Sequence, residues 1–291
     1  MKHKSLSSYA TLLLLLTIKM AFVSAVRTVL ITGCSRGIGA GLVRASLIEP
    51  TTRVIATCRS PESAVELQRI ATEHTGDRLL ILSLDTTSVD SYKSAVENLA
   101  AKGIDSIDVL IANAGISNPD HPSDPILTCS EKTMMDVFKT NCVGTLLTLQ
   151  TFTPFLLKGS TKLCVLLSSR LASIEQAEGV GGYTSYRASK AAMNMLAMTY
   201  SEDASVKKAN IRTLCMHPGW VQTDMGERGG RKASVSVPDC VAGINSMIER
   251  AVVVQADIKA LNVIVSPEKF ETELGKHRVV FTAYDGEMLP W

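Results

Sequence analysis

Short apolar runs recur along the chain, and most of them combine leucine with β-branched residues. A continuous run of this kind is typical of a strand that is buried on both faces of a parallel sheet. The predicted strands cover residues 27–32, 53–59, 79–85, 107–112, 163–167, 211–216 and 277–284. Helical patterns separate them, up to residue 47 after the first strand, over 62–73, 89–101 and 130–157, from 186 onward, and over 238–255.

The alternation of strands and helices predicts the architecture. Seven strands that alternate with helices predict an α/β fold, a doubly wound parallel sheet with helices on both faces and right-handed crossovers. A chain of 291 residues is long enough for two domains, but it contains no internal repeat and no linker of domain scale. We therefore expect one domain over residues 27–291, preceded by an N-terminal extension over residues 1–26.

Composition excludes several classes of protein. Hydrophobic residues make up 46% and charged residues 20% of the chain, as in a globular protein with a substantial core. The 30 basic and 28 acidic side chains leave a formal charge of +2 and form no long run of one sign. The sequence therefore gives no reason to expect nucleic acid or an anionic membrane as a partner.

Cysteine and histidine are scattered along the chain. The seven cysteines form no CxxC pair, and no histidine is spaced from them as a zinc site requires. His217 is the most suggestive histidine because it precedes Pro218 and Gly219, but its position suits a structural role better than a ligand role. We expect reduced, buried thiols and no metal site.

The N-terminal segment has an unusual composition. A basic start at Lys2-His3-Lys4 leads to an apolar run over residues 10–18 and a small-residue stretch that ends at Ala25. These are the parts of a secretory signal peptide, and the apolar run is too short for an ordinary membrane span. The alternative is that Met20 is the true start, since the first strand begins at Arg27. The scattered cysteines favour a cytoplasmic location over the secretory pathway.

A glycine-rich turn, Gly33-Cys34-Ser35-Arg36-Gly37-Ile38-Gly39, follows the first strand and leads into a helix. Glycines permit a tight turn and let the main chain approach a pyrophosphate, whose charge is attracted by the free N–H groups of a helix start. The spacing is Thr-Gly-x-x-x-Gly-x-Gly rather than Gly-x-Gly-x-x-Gly. Strand, glycines and helix in this order predict a dinucleotide site.

The end of the second strand indicates which dinucleotide binds. An NAD enzyme places an acidic residue there to bind the ribose hydroxyls. This chain instead has Arg59 at the strand end and Arg36 inside the glycine turn. Two guanidinium groups can hold a 2′-phosphate through bidentate hydrogen bonds. We therefore expect NADP(H), with the alternative that Arg59 is only a surface residue.

Polar and small residues follow other strands, at the edge where ligands bind in such sheets. Asp85 ends the third strand, Asn113-Ala114-Gly115 follows the fourth, and Ser168-Ser169 follows the fifth. Asn141 lies in the middle of the long predicted helix, where a buried amide without partners would cost about 1–3 kcal/mol. The segment 226–236, which is rich in glycine and arginine, is a candidate lid beside the substrate.

Tyr186 and Lys190 lie one helical turn apart, so that their side chains are close on one helix face. A phenol titrates near pH ~10, and a fixed cation nearby favours the phenolate and lowers this pKa. The same spacing joins Tyr183 to Arg187, but arginine holds its charge permanently and cannot be tuned. Tyr186 is therefore the better candidate for a proton donor.

In their order and spacing these motifs resemble the short-chain dehydrogenase/reductase family over residues 27–291. They are Thr32-Gly33-x-x-x-Gly37-Ile38-Gly39, Asn113-Ala114-Gly115, Asn141, Ser169, Tyr186-x-x-x-Lys190 and Pro218-Gly219. The stretch Ser168-Ser169-Arg170 and the ending 284–291 are more narrowly similar to the C-factor and sniffer-type carbonyl reductases. The resemblance implies a Rossmann fold and hydride transfer between NADP(H) and a small carbonyl compound.

The resemblance also implies a role for each residue. Tyr186 would give a proton to the substrate carbonyl oxygen, and Ser169 would hydrogen-bond that oxygen. Lys190 would lower the Tyr186 pKa and bind the nicotinamide ribose, while Asn141 would hold a water that relays protons to Lys190. The expected cofactor-binding residues are Gly33, Ser35, Arg36, Gly37, Ile38, Gly39, Arg59, Asp85, Asn113, Ala114, Gly115, Tyr186, Lys190, Pro218, Gly219, Val221 and Thr223.

Ser169 stands 17 residues before Tyr186, a longer spacing than many members of this family have. We interpret the difference as extra loop near residues 175–182, which leaves Ser168 and Ser173 as alternatives.

Two function classes also stay open. The complete catalytic set favours an NADPH-dependent reductase of an aldehyde, ketone or quinone, and the alternative is an NADP-binding regulatory protein with little turnover. The family further implies a homodimer or homotetramer.

Overall fold

The computed structural model describes residues 26–74, 76–120, 123–179, 181–256 and 269–291. The signal-peptide hypothesis and the alternative start at Met20 concern residues that lie outside these ranges. Within the described ranges, no helix combines the length and the apolar character that crossing a bilayer requires.

A single parallel sheet forms the centre of the molecule. Its strands are β1 Arg27–Ile31, β2 Thr52–Cys58, β3 Leu79–Ser83, β4 Val109–Ala112, β5 Leu163–Leu167, β6 Arg212–His217 and β7 Val279–Ala283. They are ordered β3-β2-β1-β4-β5-β6-β7, and every neighbouring pair is parallel. The predicted seven-stranded doubly wound sheet is confirmed.

Helices connect the strands on both faces of the sheet. They are α1 Gly37–Ser46, α2 Val65–Glu73, α3 Val89–Ala101, α4 Glu131–Phe138, α5 Gly144–Leu156, α6 Thr184–Glu202, α7 Ala204–Ala209, α8 Val237–Ala256 and α9 Lys269–Lys276. Serine hydroxyls cap three of them: Ser88 accepts from the N–H of Ser91 at 3.3 Å, Ser130 from the N–H of Thr133 at 3.1 Å, and Ser236 from the N–H of Asp239 at 3.1 Å.

The structure differs from the predicted helices at three places. The predicted helix 130–157 is interrupted by a π turn over Lys139–Val143, which separates α4 from α5. The pattern does not predict the short helix α7, which Asp203 starts by accepting hydrogen bonds from the N–H groups of Ser205 at 2.8 Å and Val206 at 3.4 Å. Helix α9 is likewise absent from the prediction.

Hydrophobic side chains form one core on each face of the sheet. Val29 and Ile31 point into the core that contains residues of α1, α2, α8 and α9, whereas Leu30 points into the core of α3, α5, α6 and α7. Successive side chains of a strand alternate between the two faces, so that a strand covered on both sides must be apolar throughout. The two cores give the ligand-binding edge a rigid base.

Asp108, just before β4, links three segments of the chain. Its Oδ2 accepts from the N–H of Thr28 at 2.8 Å. Its Oδ1 accepts from the N–H and the hydroxyl of Ser160, both at 2.7 Å, and from the N–H of Thr161 at 3.3 Å. Asp108 is only 7% exposed, so one buried carboxylate satisfies several donors at once.

Replacing Asp108 with alanine should lower the free energy of unfolding by about 3 kcal/mol, because each buried donor that loses its partner costs about 1–3 kcal/mol. Urea unfolding followed by circular dichroism measures this change. The exposed Asp105 supplies a control, since Asp105→Ala should change the free energy by less than about 0.5 kcal/mol. Equal losses in the two variants would contradict the linking role.

Candidate active site

The predicted site residues follow the carboxyl ends of the parallel strands, which meet at one edge of the sheet. The glycine turn follows β1, Asn113 follows β4, Ser169 follows β5 and Gly219 follows β6. Helix α6 carries the predicted tyrosine and lysine pair in its first two turns. The topology therefore gathers residues that are far apart in sequence.

Glycine is required in the turn for two different reasons. Gly33 and Gly37 have φ values of +72° and +59°, a conformation that residues with a Cβ rarely adopt. A Cβ on Gly39 would lie 2.3 Å from the Gly33 carbonyl oxygen.

Arg36, at the N-cap of α1, makes no capping hydrogen bond with its side chain. The first N–H groups of α1 are thus open to an anion.

The Asn113 side chain holds the glycine turn against β4. Its Nδ2 donates to the carbonyl oxygens of Thr32 at 2.8 Å and Gly33 at 3.0 Å. The Thr32 hydroxyl accepts from the N–H groups of Asn113 and Ala114, both at 3.1 Å. Asn113 and Ala114 therefore shape the turn that they were predicted to border. Thr32 belongs to the site as well, and its place directly before Gly33 was the available signal.

An open depression of about 600 Å³ lies beside the glycine turn. It is lined by Ser35, Arg36, Arg59, Ser60, Ser63, Ala64, Val65, Glu66 and Arg69. Cations outnumber anions in this lining, which suits an anionic group. Arg36 also pairs with Asp224 at 2.8 Å, and both side chains are about 70% exposed. An ion pair so exposed contributes little to stability and can exchange partners.

Asp85, which follows β3, accepts hydrogen bonds on Oδ1 from the N–H of Thr87 at 2.9 Å and from its hydroxyl at 2.8 Å. Burial would raise the pKa of Asp85, but the Thr87 hydrogen bonds and the charges of Arg59 and Lys139 together lower it. Asp85 is therefore an ionised carboxylate near Arg59 at neutral pH.

The segment after β6 passes over the glycine turn. Pro218 and Gly219 begin it, and Gly219 adopts a φ of +88°. The Thr223 methyl group lies 3.3 Å from the place that a Cβ on Gly37 would occupy, so Thr223 packs on the turn. Val221 packs into the core, as Ile38 does in part. Val221 and Ile38, both predicted to contact the cofactor, therefore pack against the hydrophobic core next to the site.

The candidate lid 226–236 reaches the far side of the site through two arginines. Nη1 of Arg228 donates to Ser117 Oγ at 3.2 Å and to the Asn118 carbonyl oxygen at 2.9 Å. Nη1 of Arg231 donates to the Tyr183 hydroxyl at 3.0 Å. The lid is therefore attached to the loop after β4 and to the residue that precedes α6.

Lys190 is a buried cation at the centre of the site. It is 3% exposed, and its Nζ donates to the Leu167 carbonyl oxygen at 2.6 Å. Burial lowers the pKa of Lys190 to about 8. Gly115 lies directly against it, since a Cβ there would be 3.3 Å from Lys190 Nζ and 3.2 Å from Asn141 Oδ1. The absence of a side chain at Gly115 lets Lys190 and Asn141 approach the same main-chain segment.

The predicted lowering of the Tyr186 pKa is wrong for this structure. Burial of the phenol is the largest influence and raises its pKa, whereas a hydrogen bond with Ser169 lowers it. Lys190 Nζ lies 5.8 Å from the centre of the Tyr186 ring and is hydrogen-bonded to Leu167. Because the lysine is itself poorly solvated and donates elsewhere, it does not compensate for the burial of the phenol.

The three candidate serines have different partners. The Ser169 side chain lies close enough to Tyr186 to lower the pKa of the phenol, and its Oγ accepts from the N–H of Leu171 at 3.2 Å. The Ser168 hydroxyl donates to Asn194 Oδ1 at 2.6 Å, and the Ser173 hydroxyl donates to the Trp291 main-chain oxygen at 3.3 Å. The structure brings Ser169 to Tyr186 and directs the other two hydroxyls elsewhere.

Asn141 is completely buried within the π turn. Its Oδ1 accepts from the N–H of Ile116 at 2.8 Å, and its Nδ2 donates to the Ile116 carbonyl oxygen at 2.8 Å and to Ser189 Oγ at 2.9 Å. The amide is therefore fully partnered, and it ties the segment after Gly115 to α6. The sequence did not identify Ser189, whose place just before Lys190 was the only signal.

Within the described ranges, the metal-binding residue types and the cysteines form no reactive centre. No group of three or more His, Cys, Asp or Glu side chains there is arranged to hold a metal ion. All seven cysteines are free thiols, and six of them are buried. Burial, together with the charge of Arg170, lowers the pKa of His217 to about 4. Its ring is therefore neutral at neutral pH.

Comparisons of sequence point to one family. The family model described as short chain dehydrogenase matches residues 27–233. The short-chain dehydrogenase RED3 of Pyricularia oryzae is 32% identical over 266 residues, which cover 91% of this chain and 98% of that protein. The norsolorinic acid ketoreductase of Aspergillus parasiticus is 30% identical over 282 residues, with 90% of each chain covered.

Solved structures with the same fold include two carbonyl reductases. The NADPH-bound carbonyl reductase from chicken fatty liver has a TM-score of 0.74 and 31% identity, over 92% of this chain and 100% of that chain. The carbonyl reductase Sniffer of D. melanogaster has a TM-score of 0.72 and 29% identity, over 91% and 99% of the two chains.

The buried cation predicts a pH-dependent stability. Burial lowers the pKa of Lys190 from 10.5 to about 8, so between these values the unfolded chain holds a proton that the folded chain lacks. Wild-type stability should therefore rise with pH through this window. Lys190→Met removes the cation and should be more stable than the wild type by roughly 2 kcal/mol at pH 7, after part of the gain is offset by the lost hydrogen bond.

This difference should shrink as the pH rises from 8 towards 10.5. Urea unfolding of wild type and variant at several pH values across that window measures it. Other groups titrate equally in both proteins and cancel in the comparison. A stability difference that does not change with pH would contradict the lowered pKa.

Proposed function

This chain belongs to the short-chain dehydrogenase family, and on that basis we propose that it reduces the carbonyl group of an aldehyde, ketone or quinone to an alcohol, with NADPH as the hydride donor. Family membership makes the protein an oxidoreductase, as its motifs predict. The observation that carries the proposal is that the Tyr186 phenol lies beside the Ser169 side chain and buried Lys190. Two neighbouring hydroxyls can bind one carbonyl oxygen.

The residues around the glycine turn fit a dinucleotide. The open N-terminus of α1 would hold the pyrophosphate, and the positive φ values of Gly33 and Gly37 shape the turn that leads into this helix. Arg36 and Arg59 line the adjacent depression and would hold the 2′-phosphate. Similarity to a carbonyl reductase whose structure contains NADPH supports this choice. When bound, the cofactor supplies the hydride.

Tyr186 is suited to donate a proton. A phenol is protonated at neutral pH, as a proton donor must be. The raised pKa of Tyr186 makes it a weaker acid, so the donation relies on stabilisation of the tyrosinate that forms. Negative charge develops on the carbonyl oxygen during reduction, and Tyr186 would protonate that oxygen while Ser169 donates a hydrogen bond to it. Lys190 would stabilise the resulting tyrosinate, and its pKa of about 8 lets it exchange protons near neutral pH.

Asn141 would contribute to proton return through its main chain. Both polar groups of its side chain already have partners in Ile116 and Ser189. Its carbonyl oxygen accepts from the Thr145 hydroxyl at 2.7 Å and has a second lone pair. We therefore place the relay water of the proton path at this oxygen, between the π turn and Lys190.

We also propose that residues 27–291 form the catalytic domain after an extension of residues 1–26, because the family match begins at residue 27. Free thiols, six of seven buried, support a cytoplasmic location.

A homodimer or homotetramer through α4, α5 and α6 is supported by exposed apolar side chains. Met135, Val143, Leu146, Met195 and Met198 are 36–65% exposed on these helices and the π turn.

Tyr186→Phe should reduce turnover by at least about 10²-fold and leave NADPH affinity nearly unchanged, because it removes one proton and little surface. NADPH oxidation with a panel of aldehydes, diketones and quinones measures turnover, and fluorescence titration measures binding. Tyr183→Phe is the matched control, since it removes a phenol that contacts Arg231 and should retain most activity.

Unchanged turnover in Tyr186→Phe would exclude this tyrosine as the acid. If wild type binds NADPH and reduces no compound in the panel, the regulatory function is favoured over the reductase.

Arg59→Asp should weaken NADPH binding by at least about tenfold and NADH binding far less, because the variant loses a charge-assisted phosphate contact and gains a repulsive carboxylate. Titration with each dinucleotide measures both dissociation constants. Lys102→Asp makes the same change of charge at an exposed helix end and should affect neither. Equal weakening of NADPH and NADH by Arg59→Asp would refute the phosphate role.

A further inference from the structure

The C-terminal segment, residues 284–291, turns back along the edge strand β7. Gly286 permits the reversal with a φ of +93°. The N–H of Ala283 then donates to the Glu287 carbonyl oxygen at 2.8 Å, and the N–H of Leu289 donates to the Phe281 carbonyl oxygen at 2.9 Å. Thr282 and Met288 form an antiparallel bridge. The segment is therefore held to the sheet by main-chain hydrogen bonds.

Side-chain packing fixes the same segment more firmly. Leu289 is 5% exposed within the core that contains Phe281. The ring of Trp291 lies against the ring of Phe281, with 5.5 Å between centres. The C-terminal segment thus has a defined position relative to β7.

From this position the segment contacts the loop that carries Ser169 at two places. Both oxygens of Glu287 accept from the Arg170 guanidinium, with Nη1 to Oε1 at 3.2 Å and a second bond from Nη2 to Oε2. The Trp291 main-chain oxygen accepts from the N–H groups of Ile174 at 3.1 Å and Glu175 at 3.2 Å. The first contact is made with the first residue of the 3₁₀ turn Arg170–Ala172, and the second lies just after the turn.

This turn determines where the Ser169 hydroxyl points. Ser169 is the residue before the turn, and its Oγ accepts from the N–H of Leu171 within it. Strand β5 ends at Leu167, so the sheet itself does not fix the serine side chain. Contacts from the C-terminal segment at the first residue of the turn and just after the turn limit its movement, and with it the movement of Ser169.

We propose that the C-terminal segment positions Ser169 for carbonyl reduction, with Glu287 and Trp291 as positioning residues that act through Arg170 and the following turn. The inference rests on the function proposed above. An error of about 1 Å in a reacting group can cost about 10²-fold in rate. The contribution of Glu287 should therefore appear in catalysis rather than in folding, because a half-exposed ion pair adds little stability.

Glu287→Gln removes the charged partner of Arg170 and keeps the shape of the side chain. We expect kcat for an active carbonyl substrate to fall by about tenfold, with the Kd for NADPH and the thermal midpoint nearly unchanged. The matched control is Glu249→Gln, which breaks the Arg27–Glu249 pair of 2.7 Å at the opposite end of the sheet. This control should keep wild-type kcat.

The double variant Arg170→Glu with Glu287→Arg restores the pair with its charges exchanged. Under the proposal its kcat should exceed that of either single variant several-fold. Trp291→Phe should retain the ring contact and activity, whereas Trp291→Ala should lower kcat.

Three outcomes would overturn the inference. The first is a kcat of Glu287→Gln equal to that of Glu249→Gln. The second is a loss of kcat that the exchanged pair does not restore, which would assign the effect to the glutamate charge itself. The third is an absence of turnover in wild type, which overturns the proposed function as well. Turnover in wild type therefore separates failure of this inference from failure of the function.

Discussion

The hydrogen bonds that join the end of β1 to the end of β4 are the constraint on which the rest of the site depends. Thr32 and Asn113 exchange main-chain and side-chain bonds across the two strands, and the glycine turn takes its shape from them. Gly39 can then pack on the Gly33 carbonyl oxygen, which directs the start of α1 towards the ligand edge. An open helix start in this position has the charge distribution that a phosphate requires.

Burial of the Lys190 and Tyr186 side chains is electrostatically unfavourable. Lys190 is charged at neutral pH although it is almost fully buried, and a single carbonyl oxygen from Leu167 is its close acceptor. Burial also raises the Tyr186 pKa. The fold tolerates the cost of burying these two groups because the two hydrophobic cores stabilise the sheet independently of the site. Asn141, fully hydrogen-bonded, adds stability where the lysine removes it.

Much of the fold and the position of the glycine turn could be predicted from the sequence, because they depend on local patterns. Continuous apolar runs predicted the strands, and the glycine spacing predicted the turn before any contact was known. The sequence could not predict the sign of the Tyr186 pKa shift, since that sign depends on three-dimensional burial and on the direction of the Lys190 ammonium. The contacts of Thr32, although it belongs to the glycine motif, and of Ser189 could not be predicted for a similar reason: their partners lie on other elements, at positions that no periodicity marks.

The segment after β6 contacts both halves of the site. Asp224 pairs with Arg36 beside the depression of basic residues, while Arg231 reaches the Tyr183 hydroxyl on the side of α6. A ligand that takes Arg36 from Asp224 would break an ion pair that adds little stability, since both side chains are about 70% exposed. The exchange of partners at Arg36 therefore leaves the contact between Arg231 and Tyr183 in place. One stretch of main chain, from Asp224 to Arg231, thus joins the basic depression to the start of α6 through a side-chain contact at each end.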